Sequence, residues 1–243
     1  NVNASRNGPA LEMNQQAGTI DSALFRVLPP HRGVWSFEFY TAVVEPNGVA
    51  NLHSYRVDWW RKMLEGMPET QPLLDRLRES KFATDMEVEL PSFYTDYFNG
   101  VTVSGQGGVK SPDDEFFQNR VMRQVRSATL WRAWKEGLLS QSDLTGVPLF
   151  LCGGGSRMDF YARVEEAIGH MPNYTWLSAE PLALALPRDL ICEAVKPRDY
   201  DRLSVAYGLS RLNLGDIVQV PPLPKIKAAQ QSWANRYVDK DVC

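Results

Sequence analysis

Histidine and cysteine are scarce in this chain, with three of each among 243 residues. Cys152, Cys192 and Cys243 are widely spaced, odd in number and form no CxxC pair. That excludes a disulfide framework and fits a reducing, cytoplasmic setting. His31, His53 and His170 stand apart from one another and from the cysteines, so no zinc pattern forms. No Ser/His/Asp or Cys/His catalytic set is discernible, and there is no internal repeat. No apolar run approaches the roughly 20 residues of a membrane span, and no membrane partner is expected. Residues 1–10 are polar and lack the basic start and apolar centre of a signal peptide. A formal net charge of −3 and a pI near 5.7 give no electrostatic case for nucleic acid.

The composition is otherwise that of a globular protein, with 44% hydrophobic and 23% charged residues. The most informative stretch is Leu149-Phe150-Leu151-Cys152-Gly153-Gly154-Gly155-Ser156-Arg157-Met158. Four residues suited to a buried strand run into three glycines, and a helix is expected over 159–168. Consecutive glycines let backbone approach a ligand closely, and the N–H groups opening a helix can bind an anion or a sugar hydroxyl. The same loop also serves as a tight turn with no ligand.

In order, residues 1–14 read as a flexible lead and 16–21 as a small-residue turn. A strand over 22–28 is broken by Pro29 and Pro30, and a strong strand follows over 34–44. Pro46-Asn47-Gly48 is a turn before a third strand over 49–53. Helices are expected over 57–67 and 71–82, a strand over 86–90 (MEVEL), and a further segment over 93–103 with Asn99-Gly100 as a hairpin signal. Ser111-Pro112-Asp113-Asp114-Glu115 is a strong helix start. That helix is expected to reach about Leu139, burying Phe117, Val121, Val125, Ala128 and Trp131. A short strand over 174–177, a helix over 202–212 and an extended segment over 218–224 complete the reading. Strands, a mixed middle and then βα units indicate an α/β core with an inserted subdomain.

Three of these segments, in order, resemble the second lobe of the superfamily that joins actin, sugar kinases and the seventy-kilodalton heat-shock chaperones, closest to the chaperone branch. Asn14-Gln15-Gln16-Ala17-Gly18-Thr19-Ile20-Asp21 falls in register with the family's phosphate hairpin, Asp-x-Gly-[Gly/Ala]-Gly-Thr-x-Asp. Residues 151–158 match its adenosine motif, and Ser204 to Gly208 match a later helix, Ala-Val-Ala-x-Gly after an acidic cap. The resemblance covers roughly residues 13–215. It implies a ribonuclease-H-like, actin-like ATPase lobe with an inserted α+β subdomain. The implied organisation is a lead over 1–12, a core lobe over 13–56 and 140–215, an insert with its return helix over 57–139, and a tail over 216–243.

By the same resemblance the cofactors are ATP or ADP with Mg2+. Gly153, Gly154 and Gly155 would bring backbone to the sugar and α-phosphate, Ser156 adds a hydroxyl, and Arg157 would stack on adenine. Ala17, Gly18 and Thr19 would meet the β- and γ-phosphates, Asp21 would hold magnesium through water, and Arg78 and Lys81 would line the adenine edge. Gly208 would allow close packing of its helix beneath the site. Two departures bear on activity: Asn14 replaces an aspartate and Gln16 a glycine. The family's first lobe has no counterpart here, so a partner lobe, from the same or another chain, is implied along with a protein partner. An ATPase lobe that closes on nucleotide and a non-hydrolysing scaffold both stay open at this point.

Overall fold

The structure, a computed structural model, describes residues 8–15, 18–32, 34–65, 72, 91–98, 111–170, 173–191, 200–211 and 217–220. Arg78, Lys81, Ala17, the 71–82 helix (apart from Pro72), the 86–90 strand and the Asn99-Gly100 signal lie outside the described residues.

The architecture is mixed α/β. A six-stranded sheet runs in the order β5-β4-β1-β2-β3-β6. Its strands are β1 (Ala10–Gln15), β2 (Ile20–His31), β3 (Val34–Glu45), β4 (Val147–Cys152), β5 (Ala179–Pro181) and β6 (Ile217–Val220). β1, β2 and β3 form an antiparallel meander, while β4 pairs parallel to β1 and β5 parallel to β4. β6 adds in parallel to the far edge of β3.

β1 corrects the expected lead: from Ala10 onward the chain is in the sheet, with Leu11 and Met13 fully buried. Six residues with Glu12, Asn14 and Gln15 among them carry little local strand signal. Pairing with β2 on one side and β4 on the other supplies what propensity does not. β2 also outruns its expected stop, because the two prolines fall where the β2–β3 register is already irregular, between Leu28 and His31.

Residues 49–53 are the start of a helix rather than a strand. This helix, α1 (Val49–Leu64), runs unbroken past residue 57, where a separate subdomain is expected. Its apolar stripe of Leu52, Trp60 and Leu64 decides the matter at helical spacing. Within 93–103, the described residues include a short helical turn, Tyr94–Tyr97. Trp60 packs edge-on to Phe98 and donates its indole N–H to the Tyr94 carbonyl at 2.9 Å.

The second long helix, α2, occupies residues 112–135. It opens as Pro112–Phe116, widens into π-type turns over Phe117–Val121 and Arg123–Trp131, and closes as Arg132–Lys135. The Ser111 hydroxyl caps it by accepting the Asp114 N–H. Phe117, Val121 and Val125 are buried as expected, but Ala128 and Trp131 are half-exposed, with Thr129 and Leu130 buried in their place. A turn of more than 3.6 residues advances the buried face by an extra position, which the expected periodicity could not contain. The helix ends at Lys135, with Gly137 at φ +72 turning the chain out of it.

α1 and α2 lie on one face of the sheet together with α3 (Asp159–Ala162) and α4 (Val164–Gly169). Leu11, Met13, Ile20 and Leu24 meet Leu52, Phe116, Val125, Phe160 and Ile168 there. Gln124 ties α2 to the strands, donating to the carbonyls of Ile20 at 2.6 Å and Val43 at 3.1 Å and accepting from Asn47 at 2.8 Å. Arg56, fully buried on α1, forms a two-pronged ion pair with Asp113 at 2.6 and 2.9 Å and donates to the carbonyls of Pro91 and Ser92. The 91–98 segment is thereby strapped to both helices.

The opposite face carries a smaller cluster of Ala10, Phe25, Phe150 and Cys152. α5 (Tyr200–Arg211) lies over β4 on this side. Residues 174–177 form a turn, and the strand expected there comes two residues later as β5. The Val147 N–H reaches Ser178, so the edge strand begins only past that point. Among the described residues, no helix is long and apolar enough to cross a membrane.

Candidate functional site

β1 and β4 are parallel and in register, with Asn14 opposite Cys152. The β1–β2 turn after Gln15 and the glycine loop after Cys152 therefore leave the sheet side by side, at the carboxyl ends of parallel strands. Open α/β sheets place ligand crevices there.

The three glycines do different jobs. Gly153 has φ +85 and ψ 168, and a Cβ on it would stand 2.1 Å from the Gln15 carbonyl oxygen and 2.9 Å from Asn14 Oδ1. Gly155 is buried, and its Cβ would come within 2.8 Å of Val49 Cγ2 and 3.2 Å of Gln15 Oε1. These two glycines let the loop close against β1 and the start of α1. Gly154 is exposed, and the nearest atom to a Cβ there is Arg202 Nε, at 3.8 Å. No packing contact requires glycine at that position.

Ser156 and Arg157 follow in a short helical turn, Gly154–Arg157, and both are claimed by Asp201 at the start of α5. Asp201 Oδ2 accepts from Ser156 Oγ at 2.9 Å and Arg157 Nε at 3.1 Å, and Oδ1 accepts from Arg157 Nη2 at 2.7 Å. The Asp201 carbonyl also takes the Gly153 N–H at 3.0 Å. Partial burial pushes the Asp201 carboxyl up. The hydrogen bonds from Arg157 and Ser156, the Arg157 charge and the Arg202 backbone N–H outweigh that, so it titrates below its ordinary value. The sequence pattern assigns Asp201 no place in the site. Forty-odd residues separate it from the loop, and only the packing of α5 on β4 closes that gap.

On the other side of the site, Gly18 is exposed and its carbonyl accepts from Asn51 Nδ2 at 2.5 Å, tying the β1–β2 turn to α1. α1 has Gly48 at its N-cap, no side-chain cap and no acidic residue in its first turn. Thr19 and Asp21 are half-buried, and Asp21 pairs with Asn14 across the hairpin. Gln15 is fully buried beneath this junction, and among the described residues neither its amide nitrogen nor its amide oxygen has a hydrogen-bond partner. Such an orphan amide costs about 1–3 kcal/mol. Nothing in the sequence pattern singled it out.

Glu12, one turn of the strand below Asn14, is raised above the usual carboxylate range by burial and by the Asp21 charge. It faces Cys152 Sγ at 4.0 Å. Burial, with the Glu12 charge beside it, pushes that thiol up to about 12, so Cys152 is an inert packing group rather than a nucleophile. Gly208, expected to let its helix pack closely beneath the site, does not do so: a Cβ there would meet open space. Among the described residues, no group of three or more His, Cys, Asp or Glu side chains could hold a metal ion by itself.

The structure thus brings Gly18 and Thr19 of the turn and Asp21 at the start of β2 to the same end of the sheet as Gly153 to Arg157, and adds Asp201 and Arg202. No protein-family model matches the chain, and no curated protein matches it.

Proposed function

We propose that this chain is the nucleotide-binding lobe of a heat-shock-chaperone-like or actin-like ATPase, taking ATP or ADP between the β1–β2 turn and the glycine loop. The observation that carries the reading is the division of labour among the glycines. Packing explains Gly153 and Gly155, whereas Gly154 is open and exposed at the carboxyl ends of two parallel strands. The meander of β1 to β3, extended in parallel by β4 and β5 beyond β1, supports the ribonuclease-H-like fold that the resemblance implies.

In this reading the committed edge of Arg157 leaves its flat face for the adenine ring, and the backbone of Gly154 lies against the sugar and first phosphate. Magnesium, when bound, would neutralise phosphate charge. The hard oxygens of Asp21 and Asn14 fit the sparse, largely water-mediated coordination that this ion accepts. Closure on a first lobe, from the same or another chain, would be the output, read by a protein partner. A cytoplasmic location belongs to the same proposal.

One observation favours the alternative of a non-hydrolysing scaffold. The group facing Gly153 is the neutral amide of Asn14, which can orient a water molecule but cannot take its proton. Calorimetric titration with ATP and ADP, with and without magnesium, tests binding. Gly154→Val is the matched variant, since the nearest atom to a Cβ there is the exposed Arg202 Nε, at 3.8 Å. Submillimolar binding that the valine abolishes, with the unfolding midpoint unchanged, is the expected result. Binding unaffected by the valine would overturn the assignment of the site, and binding without phosphate release would select the scaffold.

A further inference from the structure

Arginine at position 202 has no structural explanation. It stands in the first turn of α5, where the helix dipole disfavours a cation. It is exposed, and among the described residues its side chain makes no ion pair or hydrogen bond. Its guanidinium nevertheless lies over Gly154, the one loop glycine that packing leaves open. Two other described arginines, Arg157 of the loop and Arg163 between α3 and α4, are already engaged. Arg157 spends Nε and Nη2 on Asp201, which cancels its charge at the loop. Arg163 pairs with Asp114 and lies over the Phe117 ring at 4.0 Å.

We propose that Arg202 is the phosphate-selecting residue of this site, the group that makes it prefer a nucleoside phosphate over the bare nucleoside. This rests on the nucleotide-binding reading above. The division is chemical. Arg157, neutralised at its edge, offers a planar face to a planar ring and little net charge to an anion. Arg202, whose N–H donors no described residue takes, carries a full charge suited to a phosphate oxygen laid along the Gly154 backbone. Asp201 joins the two functions, since its carboxylate fixes Arg157 while its own position in the helix sets Arg202 beside the loop.

The test is titration of the full chain with adenosine and with ADP, using wild type, Arg202→Gln and Arg202→Lys. The expected result is that Arg202→Gln weakens ADP about fivefold, leaves adenosine unchanged and flattens the salt dependence of ADP binding. Arg202→Lys should retain most of the ADP affinity. Equal weakening of adenosine and ADP, or ADP affinity untouched by Arg202→Gln, would overturn the inference. A wild-type chain that binds adenosine and ADP equally well would overturn it too, while leaving the nucleotide reading standing. A wild-type chain that binds neither removes both. Arg202 is exposed, so unfolding midpoints of the variants should match wild type and exclude misfolding as the cause.

Discussion

Replacing Gly153 with alanine sets the packing argument at the glycine loop against a measurable number. The residue's φ of +85 with ψ of 168 lies in a region essentially reserved for glycine, and holding alanine there costs about 1–3 kcal/mol. The added methyl would stand 2.1 Å from the Gln15 carbonyl oxygen, well inside van der Waals contact. Relief requires the loop to move away from β1, at the expense of the Gly153 N–H bond to the Asp201 carbonyl. A lost hydrogen bond adds about 1 kcal/mol. Together these give roughly 3 kcal/mol, against the 5–15 kcal/mol that hold a typical fold, and for a chain of this size a fall of roughly 6–12 °C in Tm. Urea unfolding followed by tryptophan fluorescence measures it, with Gly154→Ala as the control. The control should stay within about 0.5 kcal/mol of wild type, as an open surface position does. A Gly153→Ala variant within 1 kcal/mol of wild type, or a control as costly as the test, would refute the division of roles among the glycines.

Two further outcomes follow from the strap around α1. Arg56→Leu leaves the Asp113 carboxylate buried without its partner and should cost about 3–5 kcal/mol, whereas Arg56→Leu combined with Asp113→Leu should recover more than half of that. Scanning calorimetry on the three proteins decides, and strictly additive losses would contradict the pairing. His53 donates to or accepts from Tyr97 at 2.6 Å, and burial, helped by the Arg56 charge, holds its imidazole below the ordinary value. The unfolded chain therefore binds a proton near pH 6.5 that the folded chain resists. Its contribution to stability is complete above that value and is lost as pH falls through the folded pKa. Urea midpoints at pH 7.5 and 5 should fall further for wild type than for His53→Phe; parallel falls would show that His53 does not titrate as described.

Local chemistry made several elements legible before any tertiary information. Ser111 followed by proline and three acids announced α2, and its hydroxyl is indeed the cap. The β-branched and aromatic run of β3, and the apolar run of β4 ending in glycines, are strands whose signals lie within their own few residues. Each of these is a short-range preference, written in consecutive side chains.

What remained was decided by partners distant in the chain. β1 has too little strand character to announce itself, and becomes a strand because β2 and β4 satisfy its backbone from both sides. β5 begins where pairing to β4 begins. The three glycines are identical in sequence and acquire different roles only when Gln15, Val49 and Arg202 are set against them. Asp201 is a first-turn acid of its helix by local rule and the anchor of Ser156 and Arg157 by contact. The sequence alone determined where the backbone could turn, start a helix or extend. Only the tertiary structure decided which side chains meet at the end of β1 and β4, because that meeting depends on packing between segments that carry no local record of one another.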